Sequence, residues 1–138
     1  LFIHSFCLEV HYLLYIFIAA LTFTACEGKG TPEEEAGKAA KKYYDYLLAG
    51  KYDKYLDGVS DIDSVSASYR EQLLTNAKQY LYRQQDRYGG IRGVRVSHAE
   101  IDSARGYARA YLVLGYGDSI NERIVVAMVE RNGEWKMK

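Results

Sequence analysis

Tyrosine offers more chemistry than any other residue type in this chain. Of its 14 tyrosines, 12 follow Cys26, while all 4 phenylalanines precede it. A phenol ring packs like an apolar one, but its hydroxyl needs a partner once buried. These rings therefore stand at the rim of a core with wetted tips, or some of them line a polar pocket. The spacing of Tyr107, Arg109 and Tyr111 puts all three on one strand face. A guanidinium between two rings can hold an anionic or planar ligand by forked hydrogen bonds and stacking, or it can be solvated on an outward face. Together with Trp135, the only tryptophan, these are the candidate pocket residues. His98 and Glu100 share a strand face at the spacing of an acid/base pair, or of a solvated strand end. The 3 histidines (His4, His11, His98) and 2 cysteines (Cys7, Cys26) are too scattered to cluster as metal ligands. Asp57, Asp61, Asp63, Asp102 and Asp118 fall in loops or on helix exteriors. No metal, no cofactor and no catalytic residue is expected.

The elements that must position these residues can be read in order. Thr31-Pro32-Glu33-Glu34 combines an N-cap, a proline in the first turn and a capping-box glutamate. Ala36, Ala40, Tyr43 and Leu47 then recur at helical spacing up to Gly50. Lys51 to Asp57 adds one or two turns, and Val59 to Ser66 is a polar loop. A longer helix starts near Ser66 or Ser68, with Ser68 to Glu71 reading as a second capping box and Tyr69, Leu73, Ala77, Tyr80 and Gln84 as its buried stripe. Gly89-Gly90 breaks it, and the period changes from 3.6 to 2. Strands are predicted over 91–101, 107–116, 123–131 and 134–138, with Asn132-Gly133 as a type I′ hairpin turn. Helices first and an antiparallel meander second define an α+β domain, with N-terminal helices packed on a strongly curved sheet of about four strands.

With 138 residues the chain is one domain's worth, and 18 Lys+Arg balance 18 Asp+Glu to a formal charge of zero. That balance excludes a basic nucleic-acid module. Arg92, Arg95, Arg105 and Arg109 bias the sheet locally toward positive charge, with Glu100, Asp102, Glu122 and Glu130 nearby and largely cancelling it. All Lys and Arg residues follow Cys26, and residues 12–25 form an uncharged run, too short to span a membrane as a helix but suited to a signal-peptide core. The expected division is 1–25 as leader, 26–32 as lipidated cysteine and tether, and 33–138 as the folded domain. No positive residue precedes the apolar run, so a start at Val10 is the companion expectation.

Phe23-Thr24-Ala25-Cys26 resembles a bacterial lipobox, with Phe23 where Leu is usual. The resemblance implies lipid attachment at Cys26, a membrane contact through that lipid, and a domain facing the periplasm or the cell surface. Residues 33 to 138 carry AGKYDKYLDG (49–58), YREQL (69–73), YGDSINERIVVAMVE (116–130) and a terminal GEWKMK. In this order they resemble small Gram-negative lipoprotein domains of the nuclear transport factor 2-like, or cystatin-like, superfamily, in its lumazine-binding-like group. The resemblance implies a cone of helices and bent sheet, a scaffold that serves binding proteins and enzymes alike. The expected role is non-catalytic binding of an unknown small molecule or protein, with a homodimer through the sheet as a candidate assembly. The alternative is a cone-fold enzyme of the isomerase or dehydratase type, acting on a small apolar substrate. Such an enzyme would need a carboxylate within hydrogen-bond reach of a tyrosine inside a closed cavity, and a shallow cavity filled by Leu112, Val126, Met128 and Trp135 would count against it.

Overall fold

The computed structural model describes residues 28–138, so Cys26 and the leader lie outside the described residues. Helix α1 (Pro32–Leu48) begins where its capping box predicts. Thr31 Oγ1 accepts from the Glu34 amide and the Glu34 carboxylate accepts from the Thr31 amide, each at 3.3 Å. Ala36, Gly37 and Ala40 are buried on one side of α1, and small side chains there let the helix settle close to the sheet. A Cβ at Gly37 would stand 2.9 Å from Val96 Cγ1. Tyr43 and Leu47 continue the same face. Helix α2 (Tyr52–Leu56) buries Leu56, and the loop after it holds a short 3₁₀ turn, Ile62–Ser64, around the buried Ile62.

Helix α3 (Ala67–Tyr88) is capped by Ser66, whose Oγ accepts from the Tyr69 amide at 3.2 Å. Ser68, the other cap expected from sequence, lies inside the helix. Gly89, at φ 71°, ends it in the left-handed conformation that glycine adopts without strain. The expected buried stripe is realised only at its middle: Ala77 is buried, whereas Tyr69 is 50% exposed. Two attachments hold the helix. At its N-terminal end Arg70 pairs with Asp53 of α2 and with Asp57, which caps that helix, at 3.3 and 3.2 Å. At its C-terminal end the Asp118 amide donates to Tyr88 O at 3.1 Å, the Gly117 amide donates to Gly90 O at 2.9 Å, and the Tyr88 ring packs 5.1 Å from Tyr116.

Strands β1 (Ile91–Asp102), β2 (Tyr107–Tyr116), β3 (Asn121–Arg131) and β4 (Glu134–Met137) form one antiparallel sheet in sequence order. This is the α+β architecture expected from sequence. The inner face pairs Val94 with Leu114, Val96 with Leu112, Ala110 with Val126 and Ala108 with Met128. With α1 it makes the core, in which Leu47, Leu56, Leu112, Leu114 and Met128 are fully buried. Irregularities in the pairing between Ile91 and Gly93 and between Val96 and His98 bend the long first strand. The short β4 is completed at its edge by the loop after α2, where the Met137 amide donates to Gly58 O and the Ser60 amide donates to Met137 O, both at 2.7 Å. That bridge covers the edge of β4 at its last residue.

Candidate functional site

Tyr107, Arg109 and Tyr111 do come together, but on the outer face of the sheet, away from the helices. In register across β1, β2 and β3, this face carries Arg95, Val113 and Arg123, then His98, Tyr111 and Val125, then Glu100, Arg109 and Ala127. One carboxylate organises its centre. Glu100 accepts from Tyr111 Oη at 3.1 Å, pairs with Arg109 at 3.0 Å and lies 3.7 Å from His98 Nε2. The His98 ring stacks on Tyr111 at 4.2 Å and 7°. Ser97 Oγ lies 3.2 Å from His98 Nδ1, which completes a hydroxyl, imidazole and carboxylate line. With side-chain exposures of 54% for His98 and 47% for Glu100, this line sits on open sheet surface, so water competes for every contact in it. Beside it, Arg105, Tyr107, Arg109, Val125, Ala127 and Lys138 surround an open groove of about 520 Å³.

Trp135 is not part of that arrangement. Its ring packs against the core cluster on the inner side of the sheet and lines a groove of about 310 Å³ with Glu35, Lys38, Lys42 and Tyr43. Tyr43 Oη donates to the Trp135 carbonyl at 3.0 Å. The four residues grouped from sequence as one pocket therefore divide between the two faces. The reason is strand parity: the hairpin register pairs Trp135 with Glu130 and Met137 with Met128, which turns the indole toward the helices.

The space under α1 is filled by Leu112, Val126 and Met128 with Trp135 against them. Open space lies instead under the middle of α3, between its two attachments. There Tyr44 and Leu47 of α1, Tyr55 and Leu56 of α2, Val59, and Leu73, Asn76, Ala77 and Tyr80 of α3 enclose a cleft of about 290 Å³. Tyr44 and Tyr55 meet edge to face with centroids 6.2 Å apart, a favourable quadrupole geometry. At the sheet end of this region Tyr116 Oη donates to the Glu122 carboxylate. Gln84, one turn beyond Tyr80 on α3, holds a buried Oε1 without a hydrogen-bond partner.

The phenols of this group share one electrostatic character. Burial raises Tyr44 well above the ordinary tyrosine value, and Tyr55, Tyr80 and Glu122 push it the same way. Tyr55 is raised by burial and by Tyr80. Tyr80 is raised by burial and by Glu122, against an opposing hydrogen bond with Tyr116. Tyr116 is raised by burial, then by its bond to Glu122 and by the charges beside it. All four remain protonated donors far beyond neutral pH.

Sequence reasoning passed over this cleft. It placed no carboxylate on an inward face, yet Glu122 pairs with Leu114 and so shares the inner face of the sheet. Parity counted from Leu114 across the Gly115 to Ser119 turn is the signal that would have found it. Tyr116 was legible in the same way, since it continues the inward series Ala108, Ala110, Leu112 and Leu114.

No family model matches the chain, and no curated protein matches it. Among solved structures it is similar to a Campylobacter jejuni protein provisionally described as an NTF2-like transpeptidase. The two share 12% identity at a TM-score of 0.58, covering 72% of this chain and 94% of the other. At that identity the likeness carries the fold alone: the helices and four-stranded antiparallel sheet have the nuclear transport factor 2-like arrangement.

Proposed function

We propose that this domain binds a small, mainly apolar ligand without chemical conversion, in the tyrosine-walled cleft under α3, while a lipid on Cys26 holds it at a membrane outside the cytoplasm. The observation that carries the binding reading is the cleft itself. A 22-residue helix fastened at its two ends, with Ala77 as its buried residue, roofs about 290 Å³ of largely apolar wall edged by phenol hydroxyls. Pockets of this size and lining suit small molecules, with a few polar groups fixing orientation. The anchor rests on the lipobox-like Phe23 to Cys26 and on the few residues between Cys26 and the Thr31 cap, the length of a short tether.

The Tyr116 and Glu122 pair favours a second reading, the isomerase or dehydratase type with Glu122 as base and Tyr116 as donor. Against it, the phenol donates to the base itself, so each group occupies the other and neither is aimed at a reacting atom. A different surface supports self-association: the outer sheet face is uncovered, with Val125 56% exposed beside Tyr107, Tyr111 and Ala127, and a second copy is its proposed occupant.

Filling the cleft tests the binding reading. Ala77→Trp places an indole in the space, and the full chain carrying it is expected to lose binding of a probe such as 2-phenylethanol, measured by calorimetry, while keeping its circular dichroism spectrum. Undiminished binding in a folded Ala77→Trp protein would refute the cleft as the site. For the anchor, Cys26→Ala should release the protein from the membrane fraction and remove the acyl mass.

A further inference from the structure

The groove on the outer face of the sheet takes its shape from strand register. Arg109 of β2 stands between Glu100 on β1 and Ala127 on β3, and Tyr107 stands between Asp102 and Val129. Both carboxylates therefore lie on one side of β2 and the groove on the other. Ala127 alternates onto this face between Val125 and Val129, so a single methyl group floors the groove where its neighbours carry isopropyl groups. Arg105, Tyr107 and Arg109 form one wall. Lys138 forms the other, its amide donating to Ala127 O at 2.9 Å. Tyr107 gathers two of the three cations: Arg105 Nη1 donates to its hydroxyl at 3.4 Å, and the Lys138 ammonium lies 5.7 Å from its ring centroid. No carboxylate is among the residues that line the groove.

The two guanidiniums are only partly engaged. Arg109 gives Nη2 to Glu100 at 3.0 Å, and Arg105 holds Nε 3.8 Å from Asp102. A guanidinium carries five N–H donors in a planar fork, so both retain donors for a further oxygen. We infer that this groove binds an organic carboxylate with a compact apolar body. The carboxylate accepts from the guanidiniums and the ammonium, and the apolar body covers Val125 and Ala127, both exposed on the groove floor. This acid and the uncharged ligand of the cleft under α3 are separate ligands on opposite faces of the sheet, so neither site depends on the other. A second copy of the chain would compete for the outer face. At low salt like charge keeps two copies apart, which leaves the groove to the acid.

Three probes of one shape test the groove: phenylacetate, 2-phenylethanol and phenethylammonium, titrated by calorimetry into the full chain in mild detergent at about 0.01 M ionic strength, where charge is least screened. The carboxylate is expected to bind about tenfold tighter than the amine. Ala127→Leu, which raises the floor, and Lys138→Gln, which removes the ammonium, should each weaken phenylacetate about fivefold. Ala77→Trp, which fills the cleft, should leave phenylacetate binding unchanged. Circular dichroism verifies that each variant is folded, and 2-phenylethanol binding in the same variants reports on the cleft separately. Phenylacetate binding that is lost in Ala77→Trp, or that stands undiminished in Ala127→Leu or Lys138→Gln, overturns the inference. An affinity for phenylacetate no greater than for phenethylammonium, or none at all, overturns it whatever 2-phenylethanol does. A dimer at this ionic strength that phenylacetate does not displace gives the face to a second copy and overturns it as well.

Discussion

Tyrosine stands wherever this domain needs an aromatic ring, with Trp135 the one exception, and a phenol inside a protein is a commitment to stay protonated. Tyr44, Tyr55, Tyr80 and Tyr116 are all raised above the ordinary value, by burial first and by neighbouring negative charge second. The sign of the consequence follows from proton linkage. Above the unfolded-state value of about 10 the unfolded chain releases protons that the folded chain retains, so their contribution to stability is complete below about pH 10 and declines above it. The thermal midpoint should show no loss from these groups between about pH 7 and 9.5 and fall steeply beyond, with the last four tyrosines to ionise doing so only as the protein unfolds. A folded protein whose tyrosines all ionise together near pH 10 would contradict this. Tyr44→Phe should weaken the alkaline decline, because it removes one of the raised groups.

At the scale of elements, close approach is made possible by small residues at particular places. Gly58 is the clearest: a Cβ there would overlap the Tyr43 ring, which lies against the backbone at the start of the segment that completes β4. Gly58→Ala should destabilise the fold by about 1–3 kcal/mol, the usual range for overpacking, read from chemical denaturation. An unchanged midpoint would mean that Tyr43 swings aside without cost. The same scale explains what sequence could and could not show. The first helix start was legible because a cap is local chemistry, Thr31 with Glu34, whereas the capping box read at Ser68 lies inside α3, which Ser66 caps instead. The strands and the Asn132-Gly133 turn were legible from alternation. Hidden from it was the shift between Val96 and His98, an irregularity that turns His98 and Glu100 outward although strict alternation from Val94 and Val96 would point them inward. A bulge is a property of paired strands, and one strand's sequence does not announce it. Equally hidden was how lightly α3 would sit on the domain, since an amphipathic stripe records which face turns inward and not how closely anything fills the space beneath it.

For the whole molecule, a formal charge of zero conceals a separation between faces. Arg95, Arg105, Arg109, Arg123 and Lys138 gather at the outer sheet face around Glu100 and Asp102, while Glu122 lies on the inner side. The cancellation expected from sequence is therefore incomplete on that face, because residues adjacent in the chain alternate between the two sides. Two copies meeting through this surface would bring like charges together over an apolar centre. Their association should strengthen as salt screens the repulsion, with the Debye length falling from about 30 Å at 0.01 M to about 8 Å at 0.15 M. Sedimentation equilibrium across that range should show the dimer fraction rising with ionic strength. A monomer at every salt concentration would remove the outer face as a self-association surface.

The central claim is that ligand enters the cleft under α3 and not the outer groove, and nuclear Overhauser contacts from bound 2-phenylethanol test it most directly. The probe's ring protons should contact the rings of Tyr44, Tyr55 and Tyr80 and the methyl group of Ala77, the residues that wall the cleft. Contacts confined to Tyr107, Val125 and Ala127 would place binding in the groove on the opposite face of the sheet and contradict the account.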